Sequence, residues 1–196
     1  MSYFKSKKNW IFDMDGTLTI ANHDFQAIKQ ELNIPLDMDI LTSLSKLSKE
    51  EAEKKHNQLN QIELKIAKTT VPSPGSFELL QKIKSENYQL GILTRNSFGN
   101  SIETLKAAKL IEFFQDDFIF CRERAIPKPN PEGIFRLMDL WKANPIDTVM
   151  IGDYIYDLDA GRGAGVDTIY IDPTGTFPFK NSATHCVREL GEILNL

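Results

Sequence analysis

The sequence predicts an α/β fold in which a mostly parallel sheet is covered by helices on both faces and carries an all-helical insertion. Three observations predict it. Short apolar runs stop abruptly at polar or glycine-containing loops, segments of helical periodicity lie between those runs, and the stretch after the first run shows helical periodicity alone. At 196 residues the chain has the length of one domain with a modest insertion, and it can bury a substantial core without metal or disulfide staples.

Trp10-Ile11-Phe12 is the first apolar run and breaks off at Asp13-Met14-Asp15-Gly16-Thr17, the pattern of a buried strand opening an α/β unit. From Asn22 to Thr70 only helices are expected. Asp24 is placed to cap one running through Asn33, which Pro35 stops. Leu41, Leu44 and Leu47 form a second stripe, and Leu59, Ile62 and Ile66 a third. Lys46 to Lys68 holds six Lys and four Glu and reads as a solvated helix face. Val71-Pro72-Ser73-Pro74-Gly75 closes the segment.

A helix is expected over Ser76 to Glu86 (Phe77, Leu80, Ile83), then strands at Gln89 to Leu93 and Phe118 to Phe120. A second helix spans Pro131 to Lys142 (Ile134, Leu137, Met138, Trp141), followed by strands at Thr148 to Ile151 and Thr168 to Ile171 and a final helix near Val187 to Leu194. The expected architecture is a three-layer, Rossmann-like α/β core formed by residues 1–20 and 72–196, with residues 21–71 as a small all-helical insertion. Right-handed crossovers would gather the C-terminal strand ends on one edge, where such sheets bind ligands.

Composition narrows the function only slightly. Against 23 Lys+Arg stand 27 Asp+Glu, a net charge of -4, which argues against nucleic acid as a partner. No apolar run approaches the ~18–20 residues of a membrane span, so no membrane partner is expected. Cys121 and Cys186 form no metal-type pair and read as reduced thiols of a cytoplasmic protein.

The chemistry sits at the strand ends. Asp13 and Asp15 follow the first run, Thr94-Arg95-Asn96 the second, Lys128 between two prolines the third, and Asp153 and Asp157 the fourth. In a parallel sheet these groups meet at one edge. Clustered carboxylates need a cation, and hard oxygen ligands with room for water favour Mg²⁺. A lysine and a hydroxyl facing such a cluster suit a phosphoryl group, and an aspartate can accept it covalently. A second aspartate can then protonate the leaving oxygen and activate water.

At these residues the sequence resembles the haloacid dehalogenase-like (HAD) hydrolase superfamily, over Asn9 to about Asp172 and in all four of its motifs. In Phe12-Asp13-Met14-Asp15-Gly16-Thr17-Leu18 the resemblance implies Asp13 as nucleophile and Asp15 as general acid/base. It implies Thr94 as a phosphoryl ligand and Lys128, in Lys128-Pro129-Asn130-Pro131, as the lysine steadying the nucleophile. In Gly152-Asp153-Tyr154-Ile155-Tyr156-Asp157 it implies Asp153 as a Mg²⁺ ligand together with the Asp13 carboxylate and the Asp15 carbonyl. Asp157 would hold metal-bound water or orient Lys128. Residues 21–71 stand where the family carries its C1-type cap.

Asp15 speaks against dehalogenases and P-type ATPases, and Thr17 against phosphoglucomutase-like members, which leaves a phosphatase of the phosphoglycolate phosphatase-like branch. Its expected substrate is a small phosphorylated metabolite, contacted by Thr94, Arg95, Asn96 and Lys128, with His23 and Asp24 as candidate leaving-group contacts. Arg95 departs from the family pattern, in which Asn directly follows the Thr. Two rivals remain at this point: a catalytically silent HAD-like scaffold, and a phosphoryl-accepting signalling domain.

Overall fold

A computed structural model describes residues 2–196. Its centre is a six-stranded parallel sheet in the order β3-β2-β1-β4-β5-β6. After a short α1 (Tyr3–Ser6), β1 (Asn9–Phe12) enters the middle of the sheet, and all four of its residues are buried. The chain then makes α2 (Phe25–Glu31), α3 (Ile40–Ser45) and α4 (Lys49–Ala67) before returning through α5 (Ser76–Ser85) to β2 (Gln89–Leu93). There follow α6 (Phe98–Ala107), β3 (Ile119–Phe120), α7 (Glu132–Trp141), β4 (Thr148–Gly152), α8 (Ile155–Gly163), β5 (Asp167–Ile171) and β6 (His185–Val187).

Alternation along the strands divides the core into two apolar layers, one on each side of the sheet. Trp10 and Phe12 of β1, with Val149 and Ile151 of β4, face a layer completed by Leu79, Leu80 and Ile83 of α5 and Leu105 of α6. Ile11 and Met150 face the other way, onto Ile134, Leu137 and Met138 of α7 and Ala160 of α8. This is the three-layer arrangement expected from the sequence. Gly91 of β2 lets Trp141 lie on the sheet, since a Cβ there would stand 2.7 Å from its ring.

The helical segment keeps a small core of its own, made by Ile28, Leu32, Ile34, Ile40, Leu44, Leu59 and Ile62. Each of its helices is capped by its own sequence. Asp24 accepts from Ala27 N–H and Asp39 from Thr42 N–H, both at 3.0 Å, and Ser48 donates to the Glu51 carboxylate at 2.7 Å. The segment leaves and rejoins the sheet through two adjacent linkers. Ile20 N–H donates to Val71 O at 3.1 Å and Ser73 N–H to Leu18 O at 2.9 Å.

Two expectations change. Where a final helix is expected near Val187 to Leu194, a 3₁₀ helix covers Leu190–Asn195, and Val187 ends β6, whose edge pairing with β5 is carried by only three residues. The Lys/Glu-rich face is not wholly solvated either, because Glu63 is buried. No helix among the described residues is long and apolar enough to cross a membrane. Leu80 is fully buried between α5 and the sheet. Leu80→Ala is therefore expected to lower the urea-unfolding free energy by about 2–5 kcal/mol, with secondary structure retained by circular dichroism.

Candidate active site

All four groups of residues singled out at strand ends meet on one edge of the sheet, around a cavity of about 480 Å³. The Lys128 ammonium, almost without exposure, donates to Asp13 Oδ1 and to Asp157 Oδ1, each at 2.6 Å. The other oxygen of Asp157 accepts from Tyr154 N–H at 3.0 Å and closes the first turn of α8. Oxygens of Asp13, Asp153 and Asp157 lie within 4.8 Å of one another.

Two glycines permit this crowding. Gly16, at φ 89°, carries the loop so close to Asp153 that a Cβ would stand 2.4 Å from its carboxylate. A Cβ on Gly152 would lie 2.2 Å from Asp157. Thr17, buried beneath the loop, donates to Asp153 Oδ1 at 3.3 Å.

Electrostatics follow from this packing. Burial pushes the Asp153 carboxyl up to about 8, with Asp13 and Asp157 adding to the rise and Lys128 opposing it. Burial raises Asp157 to about 6 against the pull of Lys128. Asp15 does not join the three converging acids. Its side chain turns to accept from Asn96 Nδ2 at 2.6 Å, and burial raises it to about 6 while His23 and Asn96 pull the other way.

Thr94 is buried at the end of β2, and its hydroxyl accepts from Asn96 N–H at 3.2 Å. Arg95 leaves the sheet edge and reaches the helical segment, donating from Nη2 to Asp39 Oδ1 at 2.7 Å, with Tyr156 4.8 Å from its guanidinium carbon. His23 lines the cavity and stacks on Phe25. Asp24 is not among the lining residues, and its carboxylate caps α2.

Sequence reasoning missed a second link between sheet and insertion. Arg122, just beyond β3, donates from Nη1 and Nη2 to the two oxygens of Glu63 at 3.1 and 2.9 Å, with both side chains under a tenth exposed. Asn100 of α6 also donates to Glu63, at 2.8 Å. A signal existed. Glu63 stands four residues after Leu59 and one after Ile62, on the apolar stripe of α4 rather than its polar face.

A family model described as "Haloacid dehalogenase-like hydrolase" matches residues 10–171. A Saccharomyces cerevisiae protein named uncharacterized hydrolase YOR131C is 28% identical over 200 residues, covering 98% of this chain and 91% of its own. Pyrophosphatase PpaX of Listeria innocua is 28% identical over 171 residues, 79% of this chain and 78% of its own. Among solved structures, a hydrolase from Pseudomonas syringae superposes with a TM-score of 0.78 at 24% identity, over 96% of this chain and 97% of its own.

Burial alone would raise the Asp39 carboxyl, but Arg95 and the Thr42 N–H outweigh it and hold it below the usual carboxylate range. Such a group stabilises the fold above its unfolded-state pKa, and that contribution disappears as pH falls through the lower folded-state value. Asparagine caps helices as well as aspartate, so Asp39→Asn removes the charge and keeps the cap. The variant is expected to be less stable by about 1 kcal/mol at pH 7. In urea titrations across pH, that difference should close as pH drops below about 4.

Proposed function

The chain belongs to the haloacid dehalogenase-like hydrolase family, and from that membership we propose that it is a Mg²⁺-dependent phosphatase acting on a small phosphomonoester through an aspartyl-phosphate. One observation carries the reading: a buried lysine bridges Asp13 and Asp157 at the point where Asp153 also converges. The naming of the PpaX relatives as pyrophosphatases agrees with phosphoryl chemistry.

The donor set fits a hard divalent cation. Asp13 and Asp153 offer carboxylate oxygens close together, and the absence of a Cβ at Gly16 makes room beside Asp153. Mg²⁺ would be held by these two and the Asp15 backbone carbonyl. Asp157, with one oxygen on Lys128 and the other on Tyr154 N–H, is read as the orienter of the lysine. When bound, the ion supplies charge neutralisation for the phosphoryl oxygens.

The protein's own steps are these. Asp13 has one oxygen fixed by Lys128, and its other oxygen attacks phosphorus as the bond to the leaving oxygen breaks. Asp15, raised to about 6, can be protonated near neutrality and gives its proton to that leaving oxygen. It then takes a proton from the water that attacks the aspartyl-phosphate, releasing inorganic phosphate and restoring the Asp13 carboxylate. Lys128 and the Thr94 hydroxyl stabilise the charge on the transferring group. Asn96 positions Asp15 through its 2.6 Å bond.

On this reading residues 1–20 and 72–196 are the catalytic core, and residues 21–71 are a cap contributing one wall of the cavity. Both cysteines are free, in keeping with a reducing cytoplasm.

Asp13→Asn is expected to lower kcat/KM for Mg²⁺-dependent phosphate release at least ~1,000-fold, with an unchanged unfolding midpoint. Phosphate release that persists in the variant, or in wild type stripped with EDTA, overturns the reading. Asp15→Asn separates the two half-reactions. With 4-nitrophenyl phosphate, whose leaving group needs no proton, rapid mixing should give a burst of one nitrophenolate per site followed by slow turnover.

A further inference from the structure

Resting on the phosphatase reading, the geometry points to an uncharged, hydroxyl-bearing leaving group, a polyol or sugar rather than a second acid, read by Arg95 and His23.

The first reason is charge matching among the cavity-lining groups outside the cluster of Lys128 and the four strand-end aspartates. Three of those groups are cations, Lys29, Arg95 and Arg122, and three are carboxylates, Asp37, Asp39 and Glu63. Arg122 is fixed to both oxygens of Glu63, and its Nη1 also donates to Arg95 O at 3.2 Å. Arg95 is paired with Asp39, and Lys29 donates to Leu36 O at 2.9 Å. Lys29 and Asp37 are then the one remaining cation and the one remaining carboxylate of this lining, so a leaving group bearing a carboxylate or a second phosphate would find no net positive charge there. It would instead face acids held in place by their own partners, Asp39 by the first turn of α3 and Glu63 by Arg122 and Asn100. Charge repulsion of that kind excludes ligands more sharply than lost contacts do.

The second reason is what remains unmatched. Among the described residues only Nη2 of Arg95 donates to the protein, and its Nε is buried without a partner. His23 Nδ1 is likewise buried and unpartnered, on a ring stacked against Phe25. Buried polar atoms left unpaired are costly, so each is a standing preference for a ligand that bonds it. The guanidinium N–H needs an acceptor, whereas a neutral imidazole nitrogen can be donor or acceptor. A hydroxyl satisfies both, because it accepts and donates.

The third reason is the shape of the remaining wall. Phe25, stacked on His23, and Tyr156, beneath the Arg95 guanidinium, line the cavity as aromatic side chains, and give the carbon skeleton of a sugar or polyol an apolar share of the wall. The cavity, about 480 Å³, lies within the usual range for small-molecule sites. The fixed pairing of Arg95 with Asp39 makes the hydroxyl contact directional, because it leaves the guanidinium few orientations.

The test is a kinetic comparison in Mg²⁺ across glycerol 3-phosphate, pentose and hexose phosphates, phosphoglycolate, pyrophosphate and phenyl phosphate, which carries no second polar group. At least one polyol or sugar phosphate should exceed both phosphoglycolate and pyrophosphate in kcat/KM by tenfold or more. Arg95→Lys and His23→Phe should each lower kcat/KM for that ester by 10- to 100-fold, mainly through KM, and by a smaller factor for phenyl phosphate. His23→Phe preserves the stack on Phe25 and carries the test should Arg95→Lys fold poorly. A preference for phosphoglycolate or pyrophosphate, or equal losses on the sugar ester and phenyl phosphate, overturns this inference and leaves the phosphatase reading standing. Failure to turn over any ester, phenyl phosphate included, overturns both.

Discussion

The site depends on one buried ammonium. Lys128 lies almost wholly out of water, where an isolated charge would cost several kcal/mol, and it is retained because two carboxylates meet it at 2.6 Å. Those two carboxylates come from the ends of adjacent central strands, Asp13 after β1 and Asp157 from α8 after β4. A single side chain from beyond β3 thus ties the loops that crown the middle of the sheet. One lysine against three converging carboxylates still leaves the cluster short of positive charge. On the proposed reading, a bound divalent cation would offset that deficit and let an anionic phosphoryl group approach.

The helical segment meets this edge with charges of its own. Asp39 and Glu63 project onto Arg95 and Arg122, so ionic contacts join sheet and insertion where apolar contacts would be expected to do so. The two pairs differ in kind. Glu63 and Arg122 are buried, doubly bonded and backed by Asn100, and removing either partner would strand a charge. Asp39 and Arg95 each keep about a quarter of their side-chain surface exposed, and water screens their attraction more than that of the buried pair.

Much of this was legible in the sequence because periodicity and order are local properties. Trp10, Ile11 and Phe12 announce a buried strand, and the four polar clusters each follow an apolar run, so a parallel sheet alone was enough to bring them together. What escaped was non-local. Arg122 looked like one residue in a loop, and Glu63 like one of many charges on a lysine-rich helix, until folding placed them within 3 Å. The C-terminal strand escaped because three edge residues, His185, Cys186 and Val187, carry too little alternation to register. Arg95 was visible as a departure from a family pattern, but its partner Asp39 lies 56 positions away.

The two linkers at the foot of the helical segment have a further consequence. Because Ile20 pairs with Val71, and Ser73 with Leu18, the segment is a loop whose ends are clasped independently of the helices between them. The entropy of closing a loop grows only logarithmically with its length, so a clasp of this kind makes the strand order of the sheet almost indifferent to what the loop contains. A change in the length of the helices above the clasp therefore leaves the acids and the lysine below in register. What crosses the seam between helices and sheet instead are the two ion pairs, Arg95 with Asp39 and Arg122 with Glu63, and a change on either side of those must be matched on the other.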